Sequence, residues 1–74
     1  MDLNQIFSKN MQKYRTEKSL SQEELAEKSE LHRTYISLVE RNKRNITLKN
    51  IEKIAHGLEI EPYLLLVEEY ENEL

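Results

Sequence analysis

Three observations predict an all-α fold built as a compact bundle of about five short helices. The 74-residue chain has one Gly and one Pro, too few for the turns a sheet protein needs. Charged residues make up 34% of it, which suits solvated helix faces. Apolar residues recur at three- and four-residue spacing along most of its length.

The first periodic segment runs from about Asn4 to Lys18, with Phe7, Met11 and Tyr14 on one stripe. Ser21 then precedes Gln22, Glu23 and Glu24. A hydroxyl N-cap with Glu three residues on is a capping box, so a short second helix is predicted to run to about Lys28. After a break near Ser29 to Leu31, HRTYISLVER forms a third helix. Tyr35 or Ile36, with Val39, faces inward there, while Arg33, Thr34, Ser37 and Arg41 point elsewhere. Asn42 to Ile46 is polar and reads as a loop, its two Asn suited to turn geometry. Thr47 caps a fourth helix whose stripe is Leu48, Ile51, Ile54, Ala55 and Leu58. Pro62 fits the first turn of a fifth, over about 61–72, that carries Leu64, Leu65, Leu66, Val67 and Tyr70.

The length leaves room for one domain, 1–74, with a modest core from 38% hydrophobic residues. Cysteine is absent, so no disulfide supports it, and no His and carboxylate cluster has the spacing of a metal site. No cofactor is expected. A partner subunit is the remaining support for so small a chain. The start lacks a signal-peptide layout and no apolar run reaches the roughly 18 residues of a membrane span, so a cytoplasmic protein with no membrane partner is expected.

A net charge of −3 argues at first against nucleic acid, but its distribution matters more than its sum. From His32 to Lys53 six Lys or Arg stand against two Glu, a local excess of +4, whereas beyond Leu58 there are six Glu and no base. One end suits phosphate and a polyanion avoids the other. Helices two and three, separated by about three residues, make a helix-turn-helix whose second member enters the major groove. Arg33 is placed to bond a guanine edge, with Thr34 and Ser37 as further base contacts. Tyr35 either packs inward or hydrogen-bonds a phosphate. The basic loop after the motif, with Lys43 at its centre, reads as a phosphate clamp.

The run SLSQEELAEKSELHRTYISLVERNKRNITLKNIEKIA resembles the Xre-like, phage-repressor-type helix-turn-helix domains, and more narrowly the controller proteins of restriction-modification systems, which share a string like RTYIS..ERN.RN.T. The resemblance spans residues 7 to 66. It implies a lambda-repressor-like fold with Gln22 on a phosphate and steadying the recognition helix, and Arg33, Thr34, Tyr35 and Ser37 as recognition-helix contacts. Asn42, Arg44, Asn45, Thr47, Lys49 and Asn50 match the residues that clamp the DNA backbone, and Arg15 and Glu40 a buried structural ion pair. Many relatives have Gly where this chain has Ser19, and Gly or Asn where it has Glu30. A left-handed backbone at either costs about 1 kcal/mol relative to Gly, so a reshaped turn at Glu30 is expected.

His32 and His56 have no neighbouring His or Cys, so His32 is read as starting helix three and His56 as a cation near the end of helix four. The Glu-rich tail reads as a solvated helix end. Tyr63 to Val67 are five consecutive apolar residues, more than one stripe buries. Tyr63, Leu64 and Val67 are therefore expected at a homodimer interface, which would set two recognition helices about 34 Å apart on a pseudo-palindromic operator in double-stranded DNA. The expected protein is a non-enzymatic transcriptional regulator that activates and represses its own operon, with RNA polymerase a further partner. Competing readings are a phage-type repressor, an antitoxin subunit, or an interaction adaptor that does not bind DNA.

Overall fold

In the computed structural model, which describes residues 1–68, four α-helices are followed by one 3-10 helix. They are α1 (Leu3–Glu17), α2 (Gln22–Ser29), α3 (Arg33–Glu40) and α4 (Leu48–Leu58), then the 3-10 helix Pro62–Leu66. No strand occurs among the described residues.

Each α-helix starts on a residue whose side chain accepts a backbone N–H. Asp2 caps α1 and Thr47 caps α4. At α2 the capping box is complete: Ser21 Oγ accepts from Glu24 N–H at 2.9 Å, and Glu24 Oε1 accepts from Ser21 N–H at 2.8 Å. His32 opens α3 through its imidazole. Chain reversal uses left-handed residues that are not glycine: Ser19, Glu30, Asn42 and Glu59 all have φ of 58° or 59°. Ser19 and Glu30 are the two positions where the resemblance implies Gly in many relatives, or, at Glu30, Gly or Asn. Glu30 keeps the ordinary left-handed cap of α2, with Leu31 N–H donating to Ala26 O at 2.9 Å, so this turn closes as a glycine would close it.

Phe7 and Met11 of α1, Leu25 of α2, Ile36 and Val39 of α3, Ile51, Ile54 and Leu58 of α4, and Leu65 form one buried cluster. Each large side chain contributes roughly 1.5–3 kcal/mol by leaving water. The most extensive packing is between α2 and α4. There Gly57 faces Ser29 so closely that a Cβ on Gly57 would stand 2.4 Å from Ser29 Oγ and 3.1 Å from its backbone nitrogen. Ser29 is buried, and its hydroxyl has no hydrogen-bond partner among the described residues.

Two expectations need correction. Leu48, expected on the buried stripe of α4, is 82% exposed, because at the first helical position it precedes the turn that meets the core. Within the described residues the fifth helix is not an α-helix: Pro62–Leu66 is a 3-10 segment, with Val67 extended. Asn10, buried in α1, holds the end of this segment. Its Nδ2 donates to Leu65 O and to Val67 O, both at 2.9 Å, pinning the chain where Val67 turns extended. Leu65 is fully buried and Leu66 packs at the edge of the core. Tyr70 and the rest of the expected helix lie outside the described residues.

Candidate nucleic-acid interface

The arrangement starts from the way α3 is held. Arg15 on α1 reaches Glu40, the last residue of α3, through a two-pronged contact: Nη2 to Oε2 at 2.7 Å and Nε to Oε1 at 3.2 Å. The side chains are 14% and 4% exposed, so removing one partner would strand a charge at a cost of about 3–5 kcal/mol. Arg15 Nη1 also donates to Leu20 O at 2.7 Å, fixing the entry to α2. Gln22, in the first turn of α2, donates from Nε2 to Glu40 Oε1 at 2.8 Å. Its amide thus braces the recognition helix directly, and one of its two N–H groups is committed inside the protein.

At the other end of α3, His32 is the N-cap, with Nδ1 accepting from Thr34 N–H at 3.0 Å. Arg33 and Thr34 are exposed and Ser37 is half-buried. Ile36 and Val39 point into the core, which settles the inward face of this helix.

After Glu40 the chain folds back. Asn42 adopts a left-handed conformation, and the N–H groups of Asn42 and Lys43 donate to Val39 O and Leu38 O at 2.9 and 2.8 Å, closing α3. The loop from Lys43 to Asn45 is exposed, but Ile46 anchors it by packing at the core and donating its N–H to Asn4 Oδ1 at 3.0 Å. Arg44 returns to α3, where its guanidinium lies 5.5 Å from the centre of the Tyr35 ring. Asn50, in the first turn of α4, donates from Nδ2 to the Tyr35 hydroxyl at 2.9 Å. Thr47 Oγ1 accepts from Asn50 N–H at 3.1 Å, and Lys49 stands exposed beside it.

Of the two readings that its sequence position left open, the structure shows the inward packing of Tyr35. Its ring packs at the core edge, and its hydroxyl, accepting from Asn50, keeps its own O–H to donate. Around it the first turn of α3, which begins at Arg33, meets the basic loop and the start of α4, so Arg33 and Arg44 belong to the same end of α3. Sequence reasoning missed Asn4, which pins the loop, and Asn10, which pins the C-terminal segment. Both are polar residues inside an amphipathic helix, and their partners are backbone carbonyl or amide groups far along the chain that no sequence pattern reveals. Of the expected interface residues, Tyr63 and Val67 are 64% and 44% exposed, and Leu64 is half-buried. Among the described residues no group of His, Cys, Asp and Glu has the makings of a metal site, and no helix is long and apolar enough to cross a membrane.

Two short helices joined by a left-handed turn, the second bearing exposed polar and basic residues at its mouth, define a helix-turn-helix protein. The chain matches the model of the helix-turn-helix family over residues 11–65, and it belongs to that family. Within it, the chain is of the Xre-like type and homologous to restriction-modification controller proteins. It is 46% identical to control protein C.SmaI of Serratia marcescens over 74 residues, which cover 99% of this chain and 88% of that protein. A hypothetical transcription factor of Neisseria meningitidis is 48% identical over 66 residues, 89% of this chain and 62% of that protein, so the chain spans under two thirds of the Neisseria protein's length. Among solved structures, the controller C.Esp1396I bound to a 19-base-pair DNA duplex superposes with a TM-score of 0.81 at 46% identity, covering 88% of this chain and 87% of that one. These relatives are regulators and control proteins rather than enzymes.

Proposed function

We propose that this chain is a sequence-specific DNA-binding transcriptional regulator of the restriction-modification controller type, folded as one domain and acting in the cytoplasm. The observation that carries the reading is the convergence of Arg44 and Asn50 on Tyr35 in the first turn of α3, the turn that also carries the exposed Arg33 and Thr34. With α3 in the major groove, Arg33 bonds a guanine edge, and Thr34 and Ser37 reach neighbouring bases. Gln22, Tyr35, Asn42, Lys43, Arg44, Asn45, Thr47, Lys49 and Asn50 hold the sugar-phosphate backbone on either side. Arg15 and Glu40 take no part in contact; they keep α3 at a fixed angle to α1.

The regulator acts as a homodimer that buries Tyr63, Leu64 and Val67 against a second copy, and it reads a pseudo-palindromic operator ahead of its own operon. Low occupancy activates, through RNA polymerase, and binding of a second dimer represses. C.Esp1396I, similar in sequence and fold, is a DNA-bound controller, which supports this reading. Selection of bound duplexes from a random pool tests it: the expected product is a two-fold repeated half-site with centres about one helical turn apart. A pool that shows no enrichment would contradict it.

A further inference from the structure

We propose that His32 is an additional DNA contact, one that donates its Nε2–H to a phosphate oxygen at the mouth of α3; the inference rests on the DNA-binding reading above. Its starting point is the cap itself. Nδ1 accepts a hydrogen bond from Thr34 N–H at 3.0 Å, and a ring nitrogen that accepts carries no proton. The hydrogen of the neutral imidazole is then on Nε2. The cap therefore selects one tautomer.

That tautomer leaves a donor unused. His32 is exposed, and Nε2 has no hydrogen-bond partner among the described residues. Ser and Thr, two of the usual N-cap residues, spend their one polar side-chain atom at the cap. Histidine caps with the near nitrogen and extends a second polar atom beyond it. Because the Thr34 bond already fixes the ring, binding through Nε2 takes little further side-chain freedom. A phosphate oxygen is the matching acceptor, since the N-terminal end of α3 also favours an anion, and Arg33 is the next residue.

The test uses the full chain and the duplex that the wild-type protein itself selects. In H32S the hydroxyl still caps Thr34 N–H but is too short to reach past it. The variant is expected to unfold at an unchanged denaturant midpoint and to bind about tenfold more weakly. Replacing phosphates one at a time by methylphosphonate should weaken the wild type at one position per half-site where H32S is indifferent. Should the shorter cap unsettle the fold, H32T, again with a hydroxyl as cap, takes its place with the same expected loss. Wild-type affinity in a folded variant overturns the proposal, as does a loss that follows one base pair instead of one phosphate. Nitrogen-15 spectra of the free protein test the tautomer separately, because a ring protonated on Nδ1 overturns the proposal whatever the binding data show. A wild-type protein that selects no duplex overturns the DNA-binding reading itself and takes the contact down with it.

Discussion

The side-chain amide of Asn50 donates to the hydroxyl of Tyr35 at 2.9 Å, joining the first turn of α4 to the first turn of α3. Tyr35→Phe removes this bond and the hydroxyl proposed to meet a phosphate, while keeping the ring beside Arg44. It is expected to lower stability by about 0.5–1.5 kcal/mol and to weaken binding on every duplex alike. Tyr35→Ala also removes the surface on which Arg44 lies and should weaken binding further. Urea unfolding and titration with the selected duplex measure both, and a Tyr35→Phe variant with unchanged stability and affinity would show that the link is idle.

The contact of Gly57 with Ser29 makes the packing of α2 on α4 sensitive to a single methyl group. Gly57→Ala adds helix propensity worth about 1 kcal/mol but drives a Cβ against Ser29 Oγ and the α2 backbone. Overpacking of this kind costs about 1–3 kcal/mol, so net destabilisation is expected. Ser29→Ala removes a buried hydroxyl that has no partner among the described residues and should be neutral or stabilising on its own. The double variant should recover part of the Gly57→Ala loss, and a double-mutant cycle in urea reads the coupling directly.

Glu30 sits at φ 58° in the turn between α2 and α3. Glu30→Gly relieves the crowding of its Cβ and is expected to raise stability by up to about 1 kcal/mol, or a few degrees in Tm. Asn42→Gly, at φ 59°, should gain less, because Asn tolerates the left-handed region better than Glu. Equal gains at both sites in thermal unfolding would contradict this.

Dimerisation through the C-terminal 3-10 helix predicts that Leu64→Glu raises the dimer dissociation constant at least tenfold while the subunit keeps its helical signal. Burying one unpaired carboxylate per subunit at such an interface is costly. Sedimentation velocity across a concentration series checks it, and an unchanged profile would reject Leu64 as an interface residue.

Much of this fold is legible in the amino-acid sequence. Ser21 with Glu24, and Thr47 before an apolar stripe, mark where α2 and α4 begin, because capping is chemistry between residues a few positions apart. The left-handed turns at Ser19 and Glu30 fall at positions where the resemblance implies Gly in many relatives, or, at Glu30, Gly or Asn. What is not legible depends on contacts across the chain. Asn10 holds the end of the C-terminal 3-10 segment from 55 residues away. Asn4 pins the basic loop from 42 residues away, and Gln22 is tied to Glu40. Local pattern also misplaces Leu48, since helical spacing gives a face but not the depth at which the helix meets the core. The residues of the candidate interface can be named from sequence; their convergence around the Tyr35 ring cannot.

The division of labour between α3 and the loop after it is tested most directly by titrating the wild type, R33A and R44A against the selected duplex, its single base-pair variants and a range of salt. R33A should lose roughly 1–3 kcal/mol on the selected duplex and become indifferent at one base pair of each half-site, with an unchanged salt slope. R44A should lose affinity equally on all duplexes, with a salt slope reduced by about one. Equal losses for both variants on every sequence would contradict the account.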